Sequence, residues 1–174
     1  MKPYFSIIIP SYNEEKLIGK TLEYIKKQTF RDYEIIVKDG GSKDRTVEIA
    51  KKYADKVLVG KDVSIADARN KAIKIAKGKI LFFIDADTFL IDKKVLERTK
   101  QEFEKDEKLV CIEHFFVSDK SKYNWYMGIV KLFHNVLSVL GRPLVTTLCC
   151  AYRKNIVDKL GGFNTELKCT EDFD

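Results

Sequence analysis

Two aspartates separated by one residue, Asp85 and Asp87, directly follow a strongly apolar run at residues 80–84. A turn after a strand can point both carboxylates outward, where they can share a hard divalent cation with a diphosphate. The spacing therefore indicates Mg²⁺ or Mn²⁺ as a cofactor. The alternative is that the pair ends the strand or caps a following helix, a position that Asp favours.

A second polar cluster, Asp39-Gly40-Gly41-Ser42-Lys43-Asp44, follows another apolar run. Its glycine pair permits a tight turn, and Asp39 can accept hydrogen bonds from a base or a ribose. The alternative is a turn with a helix cap from Ser42 or Asp44. Both roles can hold together, so we expect Asp39 at the ligand and the others in the turn.

A third cluster, Pro10-Ser11-Tyr12-Asn13-Glu14-Glu15, ends the first apolar run and opens a helical pattern. Free amides at such a helix start, together with polar side chains, can face a nucleotide. A simple N-cap with acidic residues in the first turn is the alternative.

Short apolar runs alternate with segments of helical period up to residue 84, which predicts an α/β fold with a mostly parallel sheet and right-handed crossovers. Predicted strands cover residues 5–9, 34–37, 57–59 and 80–84. Predicted helices carry Leu17, Ile18, Leu22 and Ile25; Val47, Ala50 and Ala54; and Ile65, Ala68, Ala72 and Ile75. Ligands of such sheets bind beyond the carboxyl ends of the strands, so the three polar clusters should meet at one edge.

The chain changes character in its second half. A helix through Val95, Leu96, Thr99 and Phe103 and a strand around residues 109–116 precede a broad apolar stripe at residues 123–142. Polar residues interrupt that stripe, so it is too short to span a bilayer. We expect a helix that is either buried in the core or covered by a membrane surface or a partner.

Composition restricts the function classes. The chain has 174 residues, which suits one domain, and a formal net charge of +6 from 32 basic and 26 acidic residues. The charges are interspersed, so we expect no nucleic-acid partner, whereas a phosphate-bearing ligand or an anionic membrane fits. The first apolar run is too short for a signal peptide, which predicts a cytoplasmic protein, either free or held at the inner face of the membrane. The four cysteines are expected to be free thiols.

Four motifs, in their order and spacing, resemble family 2 glycosyltransferases of the GT-A fold. They are Pro10-x-Tyr12-Asn13-Glu14-Glu15, Val37-x-Asp39-Gly40-Gly41-Ser42-x-Asp44-x-Thr46, Ala68-Arg69-Asn70 and Asp85-Ala86-Asp87. Gly161-Gly162-Phe163 and Thr170-Glu171-Asp172 are similar to the acceptor-side segment of that family. The resemblance implies a Rossmann-like, mostly parallel central sheet flanked by helices, with a nucleotide-sugar-binding half at 1–90 and a smaller acceptor-side half at 91–174. Because the chain stops amid site-like residues, we expect that half to be incomplete.

The resemblance also implies residue roles. Asp172 would be the general base, and Asp85 and Asp87 would serve ribose, metal and diphosphate, with Asp85 and Asp87 both as metal ligands. The implied nucleotide-sugar-binding residues are Pro10, Tyr12, Asn13, Glu14, Asp39, Gly40, Arg69, Asp85, Ala86 and Asp87, and the implied acceptor-side residues are Gly162, Phe163 and Glu171.

The resulting hypothesis is an inverting, metal-dependent transfer of sugar from a UDP- or GDP-type donor to an acceptor hydroxyl or a lipid phosphate. The acceptor would be a saccharide or lipid-linked, with peripheral membrane contact through 123–142. Two alternatives stay open: a non-catalytic nucleotide-sugar-binding module, and a sugar-phosphate nucleotidyltransferase, whose usual basic, glycine-rich N-terminal loop is missing. No phosphate-binding Gly-x-x-x-x-Gly-Lys loop or Gly-x-Gly-x-x-Gly fingerprint occurs, so ATPase and dehydrogenase functions lose their main support.

Overall fold

The structure, a computed structural model, describes residues 2–114 and 149–166. Strands and helices alternate along the described ranges. The strands are β1 (Phe5–Ser11), β2 (Tyr33–Asp39), β3 (Lys56–Val59), β4 (Ile80–Ile84), β5 (Cys111–Glu113) and β6 (Cys149–Arg153), and the helices are α1 (Ile18–Lys26), α2 (Thr46–Ala50), α3 (Ile65–Ile75), α4 (Val95–Lys105) and α5 (Lys154–Lys159).

The six strands form one sheet in the order β3-β2-β1-β4-β6-β5. The strands from β3 to β4 are parallel, and β6 runs antiparallel between β4 and β5. The predicted α/β architecture with a mostly parallel sheet is therefore confirmed. The insertion of β6 and the helix α5 were not predicted, and α2 ends at Ala50 instead of continuing to Ala54.

Apolar side chains fill both faces of the sheet. In β1, Ile7 and Ile9 pack on one face and Ile8 on the other, because successive strand residues point to opposite sides. The first face is covered by buried residues of α1, α2 and α4, and the second by residues of α3 and α5. This burial on both faces explains why the parallel strands are continuous apolar runs.

Several predicted features lie outside the described residues: the apolar stripe at 123–142, the end of the strand expected at 109–116, and both Glu171 and Asp172. Between 2–114 and 149–166, no helix combines the length and apolar character needed to cross a membrane. Cys111, Cys149 and Cys150 are free thiols, as predicted.

Candidate active site

The candidate site lies at the carboxyl ends of the parallel strands. The chain leaves β1 toward β2 on one side and returns to β4 on the other, so a crevice opens between the ends of β1 and β4. A cleft of about 940 Å³ occupies this edge. Seven of the expected nucleotide-sugar-binding residues line it: Pro10, Tyr12, Glu14, Gly40, Asp85, Ala86 and Asp87. The three polar clusters thus meet around one cleft, as their positions after the strands predict.

The turn after β1 and the loop after β2 are bonded to each other. The Asn13 side-chain Oδ1 accepts from the Lys43 amide at 3.0 Å, while the Asn13 amide donates to Ser42 Oγ at 2.8 Å. The Glu14 amide donates to Thr46 Oγ1 at 2.7 Å. Asn13 adopts φ 55°, a left-handed conformation that Asn tolerates well. Its side chain is therefore engaged in the contact between loops, and its expected ligand contact stays a prediction.

Asp39 is fully buried at the end of β2. Its Oδ1 accepts from the amides of Gly41 and Ser42 at 2.9 and 2.7 Å, and its Oδ2 accepts from the hydroxyls of Ser11 and Ser42 at 3.1 and 2.6 Å. A carboxylate offers roughly four acceptor positions, and these bonds use them. Asp39 itself therefore stabilises the turn that was expected for this cluster. Its expected contact with the base of the nucleotide stays a prediction.

Thr21 of α1 and Gln28, just after that helix, hold the segment that follows β4. The buried Thr21 hydroxyl donates to the carbonyl oxygen of Ala86 at 2.6 Å. The buried Gln28 side chain donates to the carbonyls of Leu90 and Asp92 at 3.2 and 2.8 Å. No helix begins near the pair, since α4 starts at Val95, so capping does not account for Asp85 and Asp87. The backbone is held while Asp87 stays exposed at the cleft.

Arg69 is buried in α3 behind the cleft. Its guanidinium donates to Asp85 Oδ1 at 3.3 Å and lies 5.9 Å from the ring centres of Phe83 and Phe163. Arg69 is not among the lining residues. The geometry therefore shows contact with the carboxylate of Asp85, and its approach to a nucleotide stays a prediction.

Negative charge accumulates on the cleft side of this turn. Burial raises the pKa of Glu14 above its ordinary value, and the carboxylates of Asp87 and Asp44 raise it further. In the described part of the chain, no three His, Cys, Asp or Glu side chains come together as cation ligands. Two hard carboxylates nevertheless fit Mg²⁺ or Mn²⁺, because these ions often take only one or two protein carboxylates and complete their shell with substrate phosphates and water.

The acceptor-side motif is tied to α3 by a reciprocal pair of hydrogen bonds. Asn70 Nδ2 donates to the Phe163 carbonyl and the Phe163 amide donates to Asn70 Oδ1, both at 2.8 Å. The Phe163 ring packs against Phe83 of β4 at 5.3 Å. Gly162 adopts φ 90°, and a Cβ there would lie 2.5 Å from Asn70 Oδ1. The Ala68-Arg69-Asn70 and Gly161-Gly162-Phe163 motifs therefore form one contact beside the cleft.

Gly162→Ala is expected to lower the free energy of unfolding by about 2–4 kcal/mol, because it combines a left-handed backbone with displacement of the Asn70 amide. Gly161→Ala is a matched control, since Gly161 also has positive φ (80°) but its Cβ would meet nothing within 4 Å. We expect that control to lose only about 1 kcal/mol. Urea unfolding of both variants checks this, and equal losses would contradict the steric argument.

The structure adds cleft residues that sequence patterns did not identify. They are Lys38 near the end of β2 and a segment between β3 and α3 that includes Lys61, Asp62, Val63 and Ser64. A lysine inside a buried strand was the available signal, because lysine is almost never buried without a partner.

The family model described as glycosyl transferase family 2 matches residues 6–161. A PGL/p-HBAD biosynthesis glycosyltransferase of Mycobacterium bovis is 25% identical over 178 residues, covering 99% of this chain and 68% of the relative.

Solved structures share the fold. The mannosyltransferase PcManGT from Pyrobaculum calidifontis, in complex with GDP-Man and Mn²⁺, superposes with a TM-score of 0.76 at 22% identity, covering 96% of this chain and 49% of that one. TarS 1-349 of S. aureus, in complex with UDP-GlcNAc, gives a TM-score of 0.68 at 23% identity, covering 97% and 50%. The chain thus spans about half the length of these solved structures.

Proposed function

The chain belongs to glycosyl transferase family 2, and from this premise we propose that it transfers a sugar from a UDP- or GDP-type donor to an acceptor hydroxyl or lipid phosphate, with inversion. The observation that carries the proposal is the pair Asp85 and Asp87, which lines one cleft together with Tyr12 and Glu14. The solved proteins in complex with GDP-Man and UDP-GlcNAc support this class of donor.

In the proposed site, Asp85 and Asp87 would hold a divalent cation that also binds the donor diphosphate. When bound, the cation offsets the negative charge that builds on the departing diphosphate. Arg69 fixes the orientation of Asp85 through the contact at 3.3 Å. Tyr12 and Gly40 line the same cleft, and in the proposed site they would contact the nucleoside.

The transfer itself is proposed as a single displacement. Asp172 takes the proton from the acceptor hydroxyl, whose oxygen attacks the anomeric carbon. The bond between that carbon and the diphosphate oxygen breaks, and its electron pair leaves with the nucleoside diphosphate. Attack opposite the leaving group inverts the configuration at the anomeric carbon.

A lipid-linked acceptor is also part of the proposal. The formal net charge of +6 and the apolar stripe at 123–142 suit an anionic membrane surface at the inner face of the cytoplasmic membrane. A saccharide acceptor is the other class that the same chemistry would serve.

The proposal predicts that UDP or GDP, with Mn²⁺ or Mg²⁺, raises the melting temperature of the protein, because a ligand of the folded state stabilises it by mass action. Radiolabelled UDP- and GDP-sugars should then give labelled product in the presence of the metal. Binding without transfer to any acceptor would identify a nucleotide-sugar-binding module. An unchanged melting temperature with every donor would contradict the proposed function.

A further inference from the structure

One wall of the cleft is the loop between β3 and α3, residues 60–64. Lys61, Asp62, Val63 and Ser64 from this loop line the cleft. The loop begins at the end of β3, three strands away from β4 in the sheet order β3-β2-β1-β4. Because it lines the same cleft, this loop is a candidate wall for the nucleoside of a donor whose diphosphate lies at the turn after β4.

A buried ammonium group connects this loop to β2. Lys38 is 3% exposed, and its Nζ donates to the carbonyls of Asp39 and Gly60 at 2.8 and 2.7 Å and to Asp62 Oδ2 at 2.5 Å. An ammonium group has three protons to donate, and these three acceptors use all of them. Lys38 is therefore committed to protein groups although it borders the cleft.

Lys71 of α3 also forms hydrogen bonds with this loop. Its ammonium group donates to Asp62 Oδ1 at 2.9 Å, to Asp67 Oδ2 at 2.8 Å and to the Lys61 carbonyl at 3.1 Å. Asp67 Oδ2 in turn accepts from the Val63 amide at 3.2 Å. Asp62 thus pairs with two lysines, and the loop backbone is bonded at Gly60, Lys61 and Val63.

We propose that Lys38 is a positioning residue for donor binding: through Asp62 and Gly60 it holds the loop at 60–64 as the wall against which the nucleoside binds. The inference rests on the proposed function. Because Lys38 is on β2, two strands from β4 in the sheet, we expect its loss to affect the affinity for the nucleotide and to leave the transfer step intact. A loop that must be ordered at binding lowers affinity, because the ordering entropy is then lost on association.

The experiment compares Lys38→Met with wild type in titration calorimetry with UDP and with GDP, each with Mn²⁺, and in donor kinetics. Lys56→Met is the matched control, because Lys56 also forms a partly buried ion pair, with Glu34 at 2.7 Å. Lys56 lies at the amino end of β3, whereas the cleft lies at the carboxyl ends of the strands. Asp62→Asn provides a milder variant that keeps the size of the side chain. Circular dichroism confirms that each variant is folded.

We expect Lys38→Met to raise the Kd of the bound nucleotide and the KM of the donor about tenfold, with kcat within about twofold of wild type. Asp62→Asn should give a smaller rise in the same direction, and Lys56→Met should leave Kd and KM unchanged while lowering the melting temperature. The inference is overturned if Lys38→Met or Asp62→Asn folds and binds like wild type, or if Lys56→Met weakens binding equally. A wild-type chain that binds neither nucleotide overturns the proposed function itself.

Discussion

Asp87→Asn is expected to lower metal-dependent transfer by about 100- to 1,000-fold, because it removes a charged oxygen ligand where negative charge builds on the leaving diphosphate. Asp87 is exposed at the cleft, on a turn whose backbone is fixed by Thr21. The substitution therefore changes the ligand set with little effect on the fold. The same variant should lose the Mn²⁺-dependent part of the stabilisation by UDP or GDP.

Asp92→Asn is the matched control for this prediction. It makes the same change of charge on the segment after β4, at an exposed carboxylate paired with Arg98 at 2.5 Å and absent from the cleft lining. We expect its transfer rate to stay close to wild type, as for most surface substitutions. Near-normal metal-dependent transfer by Asp87→Asn would contradict the assignment of Asp87 as a metal ligand.

Asp172→Asn is expected to lower kcat about 100- to 10,000-fold with a hydroxyl acceptor, because an amide cannot take the proton from the attacking oxygen. The Kd of UDP or GDP should not change, since the base acts on the acceptor. Glu166→Gln, at an exposed carboxylate absent from the cleft lining, is the control and should retain most of the activity. Calorimetry and single-turnover transfer measure the two effects separately.

The size of this loss also distinguishes the two acceptor classes. A lipid phosphate already carries an anionic oxygen at neutral pH. With that acceptor, Asp172→Asn should therefore lower kcat only slightly. Full activity with a hydroxyl acceptor would contradict the assignment of Asp172 as the general base.

The sequence predicted the parallel part of the sheet because strands buried on both faces are continuous apolar runs, as at Ile80–Ile84. It did not predict β6. The segment Cys149–Arg153 carries no run of β-branched residues, and its strand conformation depends on pairing with β4, which is 65 or more residues away in the chain. Nonlocal pairing of this kind leaves little trace in local sequence patterns.

The sequence predicted which clusters lie at the candidate site, but not what most of their side chains contact. The turn after β4 and the cluster at Pro10 lie at one cleft because strand ends in a parallel sheet share an edge. The hydrogen-bond partners of Asn13 and Asp39 were not predictable, since each is bonded across loops or around a turn whose geometry forms only in the fold. Lys38 was missed for a similar reason, because its partner Asp62 is 24 residues further along the chain.

The late position of β6 in the chain also bears on how the protein folds during synthesis. β4 obtains its second neighbour only when residues 149–153 have been made, whereas β1, β2 and β3 are complete by residue 59. Until then Ile80–Ile84, which is fully buried in the complete fold, is the open edge of a nascent sheet. Apolar edges of this kind pair readily with other chains. Nascent chains that end before residue 149 are therefore the ones that we expect to aggregate through this edge or to bind chaperones.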